Sequence, residues 1–149
     1  EEDILPVEWG NGQGTDIYGM PFLTLPDGYH TDTANLYHEG FHIFQYSANS
    51  PGFAYAGDSQ WYVESTAQWY QSKNLPDDEM AFVEAGAIVG NPQLALWHSF
   101  GNEAPGDPID WLFQVRQYGM HTYLFYLSEV AGVFGAVDTP DWMMQGLVK

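Results

Sequence analysis

The sequence predicts an α+β fold in which short strands come first and helices form most of the remainder. Residues 1–30 are rich in Gly and Pro and contain two strand-like runs, Ile4–Trp9 and Ile17–Leu25. Pro6 and Pro21 confine these runs to sheet edges or interruptions, because proline has no backbone N–H to donate to a neighbouring strand. After residue 30 the pattern changes to capping residues and helical spacing, which predicts a mostly helical C-terminal part.

Capping residues and Gly or Pro breaks mark the predicted helices. Thr31-Asp32-Thr33 provides N-cap chemistry for a helix to about Ser47, and Asn49-Ser50-Pro51-Gly52 ends it. The acidic start Pro76-Asp77-Asp78-Glu79 suits the positive end of a helix dipole and opens another helix. A loop-rich stretch is predicted at residues 90–107. The other predicted helices run from Ser59 to about Lys73, from Pro108 to about Ala131, and from Thr139-Pro140 onward.

Length and composition predict one packed domain over residues 1–149. A chain of 149 residues that is 45% hydrophobic and 17% aromatic can bury a core of its own. No apolar run reaches the ~18–20 residues that a membrane-spanning helix needs, so no membrane span is expected. The chain begins Glu-Glu-Asp, without a methionine or a signal peptide, and we therefore expect a mature form or a fragment.

The balance of charges restricts the possible partners. Twenty acidic and three basic residues give a formal net charge of −17, which repels phosphate backbones, so no nucleic-acid partner is expected. The chain has no cysteine, so any metal must be held by His, Asp or Glu. Scattered aspartates leave a Ca²⁺ site possible, but they lack the EF-hand or Asp-Gly repeat spacing that would support one.

The segment with the clearest chemistry is Tyr37-His38-Glu39-Gly40-Phe41-His42. Histidines four residues apart project from one face of a helix, so His38 and His42 can both reach one ion. Glu39 lies about 100° further round the helix axis, where it can accept a proton from a water on the ion without being a ligand. Two neutral nitrogens and a nearby carboxylate are what zinc-dependent hydrolysis requires.

The rest of this helix shows two stripes. Tyr37, Phe41 and Phe44 form an apolar stripe that we expect to face the core. A polar stripe that includes both histidines and Gln45 is suited to lining a cleft. The alternative interpretation is a chance H-E-x-x-H pattern on a solvated helix face.

A catalytic zinc site has three protein ligands and one open position. The pattern H-E-x-x-H-x-x-G-x-x-H would supply a third histidine, but this chain has Gln45 and Ala48 at the two required places. A glutamate from the following helix is the other common ligand, and Glu64 is in a position to provide it. An antiparallel pair of helices would place Glu64 opposite the two histidines. Asp58 is the fallback ligand, and a solvated surface glutamate is the alternative interpretation of Glu64.

These residues resemble the gluzincin group of zinc metallopeptidases, in which a glutamate ligand lies on a helix beyond the H-E-x-x-H helix. The match rests on H-E-G-F-H-x-F-Q-Y followed by W-Y-V-E-S-T-A-Q-W and covers residues 37–70. More narrowly, the chain is similar to secreted bacterial gluzincin-like families. The resemblance implies a zincin-like fold with short N-terminal strands packed on the active-site helix. It also implies a zinc ion on His38, His42 and Glu64, peptidase activity and an extracellular location.

The resemblance also directs attention to residues beside the ligands. Thermolysin-type gluzincins have an Asp four residues after the ligand glutamate, where it orients a ligand histidine. This chain has Gln68 there, so that role is lost or passes to a neutral hydrogen bond. Gluzincins use a Tyr or His from a later helix to stabilise the oxyanion. Tyr118 and His121, three residues apart on one helix, are the candidates, and a structural role is the alternative for each.

Four further residues are interpreted as lying outside the site. Tyr123 falls with the apolar positions of its helix and is predicted to be core. Arg116 is expected to form a surface salt bridge, with a hold on a substrate carboxylate as the alternative. His30 and His98 have no spacing relation to the other histidines and are treated as non-ligands.

The sequence as a whole predicts a zinc-dependent endopeptidase acting on a peptide or protein substrate. Glu39 would be the general base toward the attacking water, and Tyr118 or His121 would stabilise the oxyanion. The alternative is a non-catalytic binding or assembly module, stabilised by zinc or calcium and directed at a glycan or a protein partner. Glu39 favours the enzyme, because a purely structural site has no use for a carboxylate at that position.

Overall fold

A computed structural model describes residues 12–15, 17–19, 21–25, 28, 31–47, 60–95 and 115–130. Within these ranges the chain is mainly helical, with one antiparallel β-hairpin. The predicted strand Ile4–Trp9 and the predicted helix from Thr139 lie outside the described residues. The elements are β1 (Gly12–Thr15), β2 (Pro21–Thr24), α1 (Thr33–Ser47), α2 (Gln60–Asn74), α3 (Glu79–Val89), a helical segment at 115–119, α4 (His121–Phe125) and a π-helix (Tyr126–Val130).

The hairpin corrects the second predicted strand. β1 pairs with β2 from Gly12 opposite Thr24 to Thr15 opposite Pro21. The predicted run Ile17–Leu25 is therefore strand only in its second half. Ile17 and Tyr18 lie in the turn, are 91% and 83% exposed, and precede Gly19 at a φ of 77° that favours glycine. Both strands contact α1, so the hairpin lies beside the helix that carries the two histidines.

α1 and α2 confirm two predicted helices and pack against each other. Asp32 Oδ1 accepts a hydrogen bond from the Asn35 backbone N–H at 3.2 Å, which caps α1 as its sequence predicted. Gln68, late in α2, contacts His38, whereas Val63, early in α2, accepts a hydrogen bond from Gln45. The two helices are therefore antiparallel. Every residue from Val63 to Trp69 is buried, which makes α2 the central helix of the described structure.

The buried face of α1 differs from the predicted one. Phe41 is buried, but Phe44 is 55% exposed, so the apolar stripe does not face the interior as a whole. The buried positions also include His38, His42 and Gln45, at 6%, 2% and 0% exposure. These polar side chains turn inward because α2 provides a hydrogen-bond partner for each of them. The predicted polar stripe is thus the interface with α2.

α3 packs against the 115–119 segment. Asp78 caps α3 by accepting a hydrogen bond from the Met80 backbone N–H at 3.0 Å, in agreement with the predicted start. A side chain at Gly119 would overlap the carbonyl oxygen of Glu84 and come within 2.8 Å of Ile88 Cγ1. Only glycine lets the two helical segments approach this closely.

Arg116 does not form the expected surface salt bridge. Its side chain is 1% exposed and donates to the carbonyl oxygens of Ala87, Asn91 and Leu94, at 3.2, 3.0 and 2.9 Å. A guanidinium has enough donors to satisfy several carbonyls at the end of a helix, where such groups lack helical partners. Arg116 therefore holds the C-terminal end of α3 and the following turn.

The helix predicted from Pro108 to about Ala131 is interrupted in its described part. A turn at Met120 separates residues 115–119 from α4, and the π-helix follows α4 directly. Leu124 packs on Trp69 in the core, but Tyr123 is 47% exposed, so its predicted core position is wrong. No helix in the described ranges combines the length and the apolarity needed to span a membrane.

Candidate metal centre and adjoining cavity

α1 and α2 bring His38, His42 and Glu64 together in the interior. His38 Nε2 lies 3.1 Å and His42 Nε2 lies 3.5 Å from the same carboxylate oxygen, Glu64 Oε2. One ligand atom from each residue lies within 4.8 Å of the other two, and all three side chains are buried. This cluster can hold a metal ion. The antiparallel pairing of the helices produces it, because one turn of α1 carries both histidines and α2 presents Glu64 between them.

The second ring nitrogen of each histidine faces a glutamine. His38 Nδ1 lies 3.2 Å from Gln68 Oε1, and His42 Nδ1 lies 2.5 Å from Gln45 Oε1. Gln45 Nε2 donates to the Val63 carbonyl and to Thr66 Oγ1, at 3.0 and 2.6 Å, so its amide is fixed with the oxygen toward His42. His42 Nδ1 must then carry a proton and donate it.

This arrangement leaves acceptor atoms facing one another at the centre. A neutral imidazole with its proton on Nδ1 has a lone pair on Nε2, and that lone pair faces the carboxylate of Glu64. Only protons or a cation between these atoms satisfy all of them. Burial opposes ionisation of Glu64 and His42. Nevertheless, hydrogen bonds with His38 and His42 lower the pKa of Glu64, and the hydrogen bond with Glu64 raises the pKa of His42. The donor set therefore fits a divalent cation, with two imidazole nitrogens and one carboxylate oxygen as ligands.

The two glutamines were only partly predicted. Gln68 stands where gluzincins of the thermolysin type have an aspartate, and it does form the neutral hydrogen bond to His38. Gln45 was placed on the face of the histidines but given no role. Its position three residues after His42 was the available signal, since such residues are neighbours on a helix. The contacts that fix Gln45 come from α2 and could not be derived from α1 alone.

Glu39 and Tyr118 line a cavity of about 450 Å³ next to the cluster, together with His38. Glu39 is 7% exposed, and the Tyr118 ring lies 5.6 Å from the His38 ring between centroids. Burial and the nearby carboxylates of Glu64, Glu84 and Glu39 raise the pKa of Tyr118 above its ordinary value. The phenol therefore keeps its proton near neutral pH and can act as a hydrogen-bond donor in the cavity.

His121 lies on a different cavity from Tyr118. Its ring folds back so that Nδ1 lies 3.0 Å from the Tyr118 carbonyl oxygen, and burial lowers its pKa. It lines an apolar cavity of about 570 Å³ with Phe82 and Phe125. The structure thus separates the two predicted oxyanion donors, although they are only three residues apart. His30 and His98 lie outside the described residues.

Glu84 is a cavity residue that no sequence motif marks as part of a site. It comes from α3, is 7% exposed, and lines the same cavity as Glu39 and Tyr118. Burial, with the charges of Asp78 and Glu64 nearby, raises its pKa to about 8. Its Oε2 atom is buried and has no hydrogen-bond partner among the residues that the structure describes. In sequence Glu84 is an ordinary helical glutamate, and only the packing of α3 places it at the cavity.

Comparison with protein-family models, with curated proteins and with solved structures gives no match to this chain. The site is therefore interpreted from its own geometry and chemistry.

Proposed function

We propose that this chain is a zinc-dependent endopeptidase of zincin-like fold, with His38, His42 and Glu64 as the metal ligands. One observation carries the proposal: a buried two-histidine, one-carboxylate cluster lies beside a cavity that also contains Glu39. A structural metal site is usually closed by four protein ligands. Three ligands among the described residues and an adjoining cavity instead leave room for a substrate next to the ion.

Zinc is the ion that this donor set favours. Two imidazoles and one carboxylate are a common ligand set of catalytic zinc, whereas magnesium and calcium prefer sites built from oxygen atoms. When bound, zinc supplies Lewis acidity, which polarises a carbonyl and lowers the pKa of a water toward ~7. The hydrogen bonds that the two imidazoles donate from Nδ1 to the side-chain oxygens of Gln45 and Gln68 hold both rings with Nε2 directed at the centre.

Glu39 and Tyr118 supply the remaining chemistry of peptide hydrolysis. Glu39 lies next to a ligand in sequence and lines the cavity, so it can accept the proton of the attacking water and return it to the leaving amine. The Tyr118 hydroxyl can donate a hydrogen bond to the oxygen of the scissile carbonyl as negative charge develops there. Tyr118 is chosen over His121 because Tyr118 lines this cavity and His121 lines another.

Metal analysis combined with peptide cleavage tests the proposal. Wild type and Glu39→Gln are each loaded with zinc, dialysed, assayed for bound metal, and incubated with a peptide library. We expect one zinc per chain in both proteins and at least about 100-fold slower cleavage by the variant. Glu79→Gln, which removes an exposed carboxylate from α3, is the matched control and should cleave at the wild-type rate.

Two results would contradict the proposal in different ways. Zinc bound by a wild-type protein that cleaves no peptide would favour a binding or assembly module. A protein that binds no metal would refute both the metal site and the peptidase.

A further inference from the structure

The cavity beside the metal cluster is lined on several sides by carboxylates. Those among the described lining residues are Asp32, Glu39, Asp78 and Glu84, with no lysine or arginine beside them. The basic side chains in the described ranges are engaged elsewhere. Lys73 Nζ lies 3.3 Å from Glu129 Oε1, and Arg116 donates to backbone carbonyls. No lysine or arginine from the described part of the chain therefore balances the carboxylates of this cavity.

Asp32 and Asp78 have hydrogen-bond partners within the chain that account for their positions. Asp32 Oδ1 accepts the Asn35 backbone N–H. Asp78 accepts the Met80 backbone N–H with one oxygen and the Gln71 side-chain amide with the other. These contacts hold the N-terminal ends of α1 and α3. The positions of the two aspartates are therefore explained without a bound ligand.

Glu84 is different, because its burial has no compensation within the described structure. Glu84 is buried, and its Oε2 atom has no hydrogen-bond partner in the described part of the chain. Leaving a buried carboxyl oxygen unpaired costs free energy that a protein normally avoids. Asn35 Nδ2, on the same cavity, is likewise buried and unpaired. The cavity wall thus contains two residues that each have a buried polar atom without a partner among the described residues.

We infer that this cavity binds a positively charged group of the peptide substrate, with Glu84 as the direct partner of the charge. The group is either a lysine or arginine side chain or a free amino terminus, since all of these are cationic N–H donors. The inference rests on the proposed peptidase function, because the cavity then holds the part of the peptide next to the scissile bond. Asn35 Nδ2 can donate to a carbonyl oxygen of the same peptide.

The electrostatics of the cavity support this assignment. The raised pKa of Glu84 reports that its charge is unfavourable when nothing faces it. A bound cation would remove that cost and supply the missing hydrogen-bond donor. An anionic group would instead meet four carboxylates in one cavity. The net charge of −17 would also attract cationic peptides to the protein as a whole.

Binding of three small probes tests the inference and identifies the source of the charge. Nα-acetyl-lysine methylamide carries only a side-chain cation, norleucine methylamide carries only an amino-terminal cation, and Nα-acetyl-norleucine methylamide is neutral. Affinities are measured by NMR titration of wild type, Glu84→Gln and Glu79→Gln, each as purified and after zinc loading. Glu79→Gln is the matched control, because it removes the same charge from an exposed position on α3.

We expect one cationic probe to bind wild type at least about tenfold more tightly than the neutral probe, as a charge-assisted hydrogen bond would give. Glu84→Gln should remove most of that preference, and Glu79→Gln should change it less than about twofold. The cationic probe that binds more tightly shows whether the cavity takes a charged side chain or a charged amino terminus. Equal binding of all three probes by wild type, or an unchanged preference in Glu84→Gln, would overturn the inference.

These outcomes are separable from those that test the peptidase. A cation preference that depends on Glu84, in a protein that cleaves no peptide, supports the assignment of the cavity and contradicts the peptidase. Peptide cleavage without any cation preference supports the peptidase and contradicts the assignment of the cavity. The wild-type comparison of the three probes requires no variant, so it stands even if Glu84→Gln does not fold.

Discussion

Tyr118 and His121 show how strongly the role of a residue depends on the cavity that its side chain reaches. The resemblance to gluzincins makes both of them candidates, and a helix of regular geometry would keep them on neighbouring positions of one face. The turn at Met120 ends that regularity, and the two side chains line separate cavities. The ring of Tyr118 lies against the ring of His38, whereas His121 lies with Phe125.

Replacing Tyr118 with Phe should slow peptide cleavage by roughly 100- to 1000-fold, the usual effect of losing one oxyanion donor. The loss should fall on kcat, because the hydrogen bond strengthens only as charge develops on the oxygen. Steady-state kinetics with a fluorogenic peptide measures it. Tyr126→Phe, at a 53% exposed tyrosine, is the control and should be unaffected. A larger defect in His121→Gln than in Tyr118→Phe would reverse the assignment.

Gln45 contacts the candidate metal cluster through His42. Its amide is held by the Val63 carbonyl and by Thr66 Oγ1, so its oxygen has a fixed direction toward His42 Nδ1. A hydrogen bond of this kind selects the ring tautomer that leaves Nε2 free for the metal. The residue is fully buried, and a polar side chain is retained there because every one of its polar atoms has a partner.

Gln45→Met should weaken zinc binding by about 10- to 100-fold, since it keeps the size of the side chain but removes the partner of His42 Nδ1. Competition with a chromophoric chelator gives the affinity. Gln93→Met, at an exposed glutamine, should bind zinc as wild type does. An unchanged affinity in Gln45→Met, with far-UV circular dichroism showing a folded protein, would mean that the hydrogen bond does not orient the ligand.

Glu84 makes the stability of the metal-free protein depend on pH. Its pKa is raised from 4.5 to about 8 in the folded state. Between these two values the unfolded chain releases a proton that the folded protein retains. The contribution of Glu84 to stability is therefore complete below pH 4.5 and is lost as the pH rises through 8.

Glu84→Gln should stabilise the metal-free protein at pH 7, by an amount on the order of 2–3 kcal/mol, and should leave it nearly unchanged at pH 4. Urea unfolding at a series of pH values measures the difference. Glu79→Gln reports the effect of removing an exposed charge from the same helix. A wild-type and a Glu84→Gln protein with parallel stability curves would show that the Glu84 carboxyl is not held in its neutral form.

At the scale of elements, local capping chemistry predicted helix starts well and tertiary contacts decided the rest. Asp32 and Asp78 cap α1 and α3 close to where the sequence placed them, because a cap is made by residues adjacent in the chain. β1 was missed, since Gly12–Thr15 has no apolar alternation and becomes a strand by pairing with β2. The exposure of Phe44 likewise depends on which face of α1 meets α2.

The contact between α3 and the 115–119 segment places Glu84 and Tyr118 on one cavity. Gly119 lies against the Glu84 carbonyl, and Ser65 Oγ of α2 donates to the Gln117 carbonyl at 2.5 Å. The carbonyl groups of Glu84 and Gln117 belong to the backbone, so they cannot rotate away from this contact as a flexible side chain would. The cavity lined by Glu84 and Tyr118 can therefore keep its shape only if the residue at position 119 has no side chain.

Gly119→Ala should destabilise the protein by about 1–3 kcal/mol, because its methyl group overlaps backbone atoms of α3. Gly86→Ala, on α3 itself, is the matched control. Nothing in the described part of the chain lies within 4 Å of a side chain there, so alanine should stabilise the helix by up to about 1 kcal/mol. Chemical denaturation measures both. If both substitutions changed the free energy of unfolding equally and in the same direction, α3 and the 115–119 segment would not be in close contact at Gly119.

At the scale of the whole molecule, the metal cluster is also the contact that joins the two longest helices of the described structure. The two histidines from α1 meet Glu64 from α2, and all three are buried. A buried polar interface stabilises a fold only when its charges are compensated. Without a metal that compensation must come from protons on the imidazoles. The sequence predicted that His38, His42 and Glu64 lie together, but not that their cluster would lie in the interface that forms the interior.

Zinc should therefore stabilise the fold, and its removal should destabilise it. At a free zinc concentration about 100 times the Kd, binding to the folded state adds about 2.7 kcal/mol, which corresponds to a rise in Tm of roughly 5–10 °C for a chain of this size. Thermal unfolding with added zinc and then with a chelator measures the shift. Glu64→Gln keeps the size of the side chain but lacks the charged ligand, so its Tm should respond to zinc by less than half as much. A wild-type Tm that is the same with zinc and with chelator would mean that the helices pack around this cluster without a metal, and the centre would then have to be interpreted as a proton-linked polar core.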